Sequence, residues 1–110
     1  MPGTKPKPCC EPSEKILPIY QRIKNHLKKL ISQGEMLHFK EGQVIFYDGH
    51  LPTGFFLLQE GRVSPEWFAD NLLGLTHLLE NNPYCITCKA ATDVIIHFIP
   101  KATVLHFLKK

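Results

Sequence analysis

The sequence predicts a mainly β domain with flanking helices, an antiparallel β-roll of the double-stranded, jelly-roll-like kind, on three observations. Short β-prone runs at residues 36–39, 44–47, 55–59 and 62–64 are separated by glycine-bearing turns. A stretch of helical periodicity precedes them and another follows. Late in the chain a helix-like segment, residues 72–79, is stopped by Asn81-Asn82-Pro83 before β character resumes at 84–90 and 94–99.

Taken in order, residues 1–12 (MPGTKPKPCCEP) hold four prolines and no apolar periodicity, so they read as a flexible leader outside the fold. The remainder, residues 13–110, is one domain, because 110 residues support one core and no second unit. Pro18 suits the first turn of a helix spanning 18–33, since its missing N–H would have no intrahelical partner there. Ile23, Leu27, Leu30 and Ile31 give that helix its apolar face, and KNHLKK (24–29) is its solvated face. Gly34 is expected to cap it with a positive φ. The roll occupies 35–99, with Asp48-Gly49 and Glu60-Gly61 at hairpin turns. A last helix covers 101–110.

Composition narrows the function classes. A net charge of +3, without a basic stripe interleaved with aromatics, does not support direct nucleic-acid binding. No run approaches the roughly 20 apolar residues that cross a bilayer, and the N-terminus lacks a secretory apolar segment, so a cytoplasmic location is expected. Cys9 and Cys10 are adjacent, while Cys85 and Cys88 lie in strand-like sequence, a pattern unlike a secreted disulfide framework, and reduced thiols are expected. Ser13, Ser32 and Ser64 have no nucleophile motif around them, and neither a P-loop nor paired carboxylates occur; no enzyme is expected.

Two segments carry a family resemblance. GQVIFYDGHLPTGFFLLQEGRVS (42–64) and GLTHLLENNPYCITCKAATDVIIHFIPKATVLHFL (74–108) resemble the opening strands, phosphate-binding cassette and closing helix of the cyclic-nucleotide-binding domain. That domain occurs in catabolite-activator and Fnr-like regulators and in cyclic-nucleotide-gated channels. The resemblance implies a β-roll, a signalling role and a ligand site at Gly74, Leu75, Thr76, Tyr84, Cys85 and Thr87. In ligand-binding relatives a glutamate takes the ribose hydroxyl and an arginine holds the cyclic phosphate. Here Leu75 and Tyr84 stand at those positions, so both charged anchors are missing. Losing a buried charge-assisted contact commonly costs about 2–5 kcal/mol, on the order of 30- to 4,000-fold in affinity.

Two further departures concern length. Relatives fit another hairpin between positions 64 and 74, where this chain has only PEWFADNLL, with Trp67 and Phe68 as a pocket cap or edge cover. Beyond 102–110 there is no room for the long helix that in relatives lies over the nucleotide. The expectation is therefore a stand-alone, non-catalytic sensory module whose cassette is degenerate, binding cyclic AMP or cyclic GMP poorly in the usual mode. The alternatives are a dimerisation or protein-interaction module from a larger regulator or transporter, or a sensor of another small molecule, a metal or haem. The partners these readings name are a small-molecule ligand, a protein or a second copy.

No cofactor and no metal site are expected; Cys85, Cys88 and His77 are the residues that would ligate one. Cys85-Ile86-Thr87-Cys88 has redox or zinc spacing, but strand alternation turns its two sulfurs to opposite faces, and buried inert thiols outweigh that reading. The six histidines, His26, His38, His50, His77, His97 and His106, show no paired spacing. The resemblance adds haem sensing, with His77 or His50 as axial ligand, and a hydrogen-bonded structural role outweighs it.

Overall fold

Adjacent apolar residues in a strand face opposite ways, and in this chain both faces are used. Phe55 and Phe56 lie side by side in one of the two seven-residue inner strands; Phe55 enters one core and Phe56 another. Leu72 and Leu73 divide in the same way. One sheet is thus apolar on both sides, covered by helices on one face and by a second sheet on the other.

The computed structural model describes residues 12–64 and 71–109. The proposed leader cysteines Cys9 and Cys10, and Trp67 and Phe68, lie outside the described residues. The elements are α1 (Leu17–Lys24), α2 (Leu27–Ile31), β1 (Glu35–Phe39), β2 (Val44–Phe46), β3 (Gly54–Glu60), β4 (Val63–Ser64), β5 (Leu72–Leu73), α3 (Leu75–Glu80), β6 (Cys88–Ala90), β7 (Val94–Pro100) and α4 (Lys101–Leu108). The first sheet has the order β1-β7-β3-β5 and the second β2-β6-β4, and all the pairings are antiparallel.

Between the sheets lies an interior core of Ile45, Phe46, Phe56, Val63, Leu73, Tyr84, Cys88, Ala90, Val94 and Ile96. The opposite face of the first sheet packs Phe55, Leu72 and Ile99 against Tyr20, Ile23, Leu30, Leu75, Leu78, Val104 and Phe107 from the four helices. The antiparallel β-roll with flanking helices expected from the sequence is the observed architecture.

Three local expectations are corrected. The helix foreseen over 18–33 is two helices. The backbone N–H of His26 turns to the Ile23 carbonyl at 3.0 Å, and its ring Nδ1 lies 2.8 Å from the Arg22 carbonyl, the acceptor the helix would have used. Gly34 is not a left-handed cap; the positive-φ glycines are Gly42, Gly49, Gly61 and Gly74. Gly34 is needed for space instead, because a Cβ there would stand 2.7 Å from the Phe98 carbonyl oxygen. Finally, the strand foreseen over 84–90 begins only at Cys88, and residues 84–87 form a loop.

Candidate functional site

β5 runs into Gly74, whose φ of 81° reverses the chain into α3. A side chain at that position would be strained by the backbone alone. It would also collide, since a Cβ on Gly74 would lie 2.9 Å from Cε1 of Tyr84. The Tyr84 ring therefore lies directly over the turn that leads into the cassette helix.

Tyr84 is held there from two sides. Its backbone pairs with the β2–β3 turn: its N–H donates to the His50 carbonyl at 3.0 Å, and its own carbonyl accepts from Gly49 N–H at 2.8 Å. Its ring stacks on Phe46 with centroids 4.0 Å apart and planes 19° from parallel. Phe46 in turn stacks on Phe56 at 5.9 Å, and Phe56 meets Phe98 at 5.1 Å. Four rings form one continuous apolar row through the roll, with the Tyr84 side chain only 5% exposed.

The residues proposed as a ligand site do not all converge. Leu75 is fully buried, but in the helix-side core with Tyr20, Ile23 and Leu78 rather than in the interior core with Tyr84. Thr76 is buried and has an interaction partner. Thr87 lies in the loop and accepts a hydrogen bond from the Asp48 N–H at 3.1 Å, so it fastens the cassette loop to the β2–β3 turn.

The cysteine expectations are revised as well. Cys85 is disulfide-bonded and not a reduced thiol. Cys88 is a free thiol, buried in β6 within the interior core. The two sulfurs do not share one strand's opposite faces, as the loop at 84–87 removes Cys85 from the strand. Among the described residues no group of three histidine, cysteine or acidic side chains is placed to hold a metal ion.

Electrostatically the cradle is neutral. Gly74, Thr76, Tyr84 and Phe46 bring no charge to it, and burial pushes the Tyr84 hydroxyl up to about 12, with the nearby Cys88 adding to the rise. Burial also pushes the Cys88 thiol up to about 12. His77 is 3% exposed, its ring centroid is 5.9 Å from that of Tyr84, and its Nε2 is buried with no hydrogen-bond partner. Desolvation lowers its pKa, partly opposed by the Glu80 carboxylate.

Beside Tyr84 a groove of about 240 Å³ opens, walled by Phe46, Phe56 and Tyr84 and rimmed by Tyr47, His50 and Leu51. Phe46 and Phe56 were absent from the site foreseen in the sequence, and His50 was named there only as a haem ligand. The continuous apolar runs of β2 and β3 were the available signal, since a strand apolar at successive positions is buried on both faces and sends some of its side chains, here Phe46 and Phe56, into the interior core.

Comparison with solved structures places this architecture among cyclic-nucleotide-binding domains. A cyclic-nucleotide-binding-like protein from Brucella abortus matches with a TM-score of 0.66 at 15% identity, covering 87% of this chain and 97% of that one. The catabolite activator protein of Thermus thermophilus matches at 0.65 and 17% identity, covering 84% and 50%. An EAL enzyme matches at 0.58 and 18% identity, covering 70% and 80%. The chain spans 44% and 45% of the lengths of two further matches, from Ruegeria pomeroyi and Silicibacter pomeroyi. No family model and no curated protein sequence matches this chain. At these identities the shared property is the fold, a cyclic-nucleotide-binding-type β-roll of the kind found in regulators. No helix among the described residues is long and apolar enough to cross a membrane.

Proposed function

We propose that this chain is a non-catalytic regulatory module in which the cyclic-nucleotide cradle is closed by its own side chain. The observation that carries the reading is the Tyr84 ring over Gly74, stacked on Phe46 and nearly inaccessible. A cyclic phosphate needs a fixed cation and open backbone amides. In this site a neutral ring takes the space, and the position that would serve the ribose, Leu75, faces the other core.

Isothermal titration of the whole chain with cyclic AMP and cyclic GMP at pH 7.5 tests it. The expected result is no sub-micromolar binding; a sub-micromolar Kd for either nucleotide overturns the reading. A second reading rests on the groove beside Tyr84: its aromatic walls and lack of charged lining side chains suit an uncharged, apolar small molecule. Native mass spectrometry of the purified protein separates the two, since a retained small molecule supports the second and uniformly empty protein the first.

A further inference from the structure

The described core holds two buried polar side chains, Thr76 and His77, both on α3. Thr76 has a partner. His77 does not, at Nε2. The imidazole is packed beside Tyr84, the residue that closes the cradle. A neutral imidazole can stay in such a place, but an imidazolium needs water or acceptors for both of its N–H groups.

The segment that carries His77 is short and bounded by two turns. α3 has six residues and is bounded at both ends by left-handed residues, Gly74 at φ 81° and Asn81 at φ 58°. β5, which precedes it, is two residues long and pairs with β3 at two positions, Phe56–Leu73 and Leu57–Leu72. Behind it, Asn82 N–H donates to the His77 carbonyl at 3.0 Å, so the turn after the helix travels with it. The ladder is short, two paired positions and the Leu58 N–H to Asn71 carbonyl bond, and the resistance to opening lies in Leu72, Leu73, Leu75 and Leu78, which enter the two cores. By contrast β3 and β7 pair along their length from Gly54–Pro100 to Glu60–Ile95.

We propose that acidification opens the cradle: a proton taken up at His77 drives the β5–α3 segment outward, lifts Gly74 from beneath the Tyr84 ring and makes the closed site accessible. This rests on the reading of Tyr84 as the closing side chain. The groups around the imidazole agree with it. On α3 itself Glu80 is the acidic neighbour. α1, packed against α3, brings Tyr20, and β3 brings Phe55 and Phe56, with Glu60 at its exposed end. From the following loop comes Tyr84, with Cys88 behind it, both neutral across this range because burial raises them. No carboxylate other than Glu80 is in position among these groups to accept the new N–H in the closed state, and in the open state water does.

Amide hydrogen exchange on the full chain, expressed as protection factors at pH 7.5 and pH 5.0, tests the proposal. The Leu78 amide, which donates to the Gly74 carbonyl, is expected to lose protection by roughly tenfold or more between the two pH values. β7 amides are expected to keep theirs. His77→Phe retains a ring without a proton site and abolishes the loss; His77→Asn serves if the phenylalanine does not fold. A pH-independent Leu78, an equal loss in both uncharged variants, or a loss shared by β7 overturns the proposal. The closed-cradle reading is judged separately, by nucleotide titration at pH 7.5 where His77 is neutral, so failure of the one is distinguished from failure of the other.

Discussion

The rings of Phe46 and Tyr84 stack 4.0 Å apart between centroids, bridging β2 and the loop that precedes β6. This contact joins the second sheet to the loop whose Tyr84 ring lies over the Gly74 turn.

Removing that ring is expected to be expensive. Tyr84→Ala leaves a void beside Phe46 and above Gly74 and costs about 3–5 kcal/mol, by analogy with other buried aromatic truncations. A urea titration at pH 7.5 measures it. An effect below about 1 kcal/mol would mean that the stack contributes little.

Placing charges at positions 75 and 84 is not expected to create a nucleotide site. Leu75→Glu puts a carboxylate into the helix-side core among Tyr20, Ile23 and Leu78, where an unpaired buried charge costs about 3–5 kcal/mol. Tyr84→Arg with Leu75→Glu is expected to be less stable than Tyr84→Arg alone and to gain no tight nucleotide binding. Circular dichroism melting and calorimetric titration of both variants check this.

Two glycines separate space from backbone conformation. Gly34→Ala brings a Cβ to 2.7 Å from the Phe98 carbonyl oxygen, a rigid neighbour, and costs about 1–3 kcal/mol by overpacking. At Gly42 nothing lies within 4 Å of such a Cβ, but φ is +91°, so alanine costs about 1–2 kcal/mol through the backbone alone. Only the Gly34 variant is expected to broaden or shift the NMR signals of β7.

Proton linkage acts at both ends of the pH scale. His77 is held below its ordinary 6.5 by burial. The unfolded chain therefore takes the proton first, and the stability from the neutral imidazole, complete above about pH 6.5, is lost as pH falls through that value toward the lower native one. Urea midpoints at pH 7.5 and 5.0 should differ more for the native sequence than for His77→Phe. Cys88 and Tyr84 act oppositely. Both are raised to about 12, from 9.0 and 10.0, so the unfolded chain ionises first and stability is lost as pH rises from about 9 toward 12. Cys88→Ala should flatten that alkaline loss.

The buried thiol also predicts reactivity. Cys88 is fully buried and protonated at neutral pH, so a thiol reagent at pH 8 should label it only after urea is added. Labelling at the rate of an exposed cysteine would show that β6 opens readily.

The sequence by itself determined the roll. The β-prone apolar and aromatic runs at residues 44–47, 55–59 and 94–99, with turns at Gly49 and Gly61, depend on neighbours one or two residues away, and such short-range patterns survive in a linear reading. It also shows that positions 75 and 84 carry uncharged side chains, because side-chain chemistry needs no coordinates. What only the tertiary structure decided was where those side chains go. Gly34 is fixed by a β7 carbonyl 64 residues away in sequence, the helix breaks where the His26 side chain competes for a backbone acceptor, Leu75 and Tyr84 enter different cores, and His77 is left with an unpartnered nitrogen beside the closing ring. These are outcomes of packing between distant segments, in which each side chain's direction depends on the others that fill the same volume.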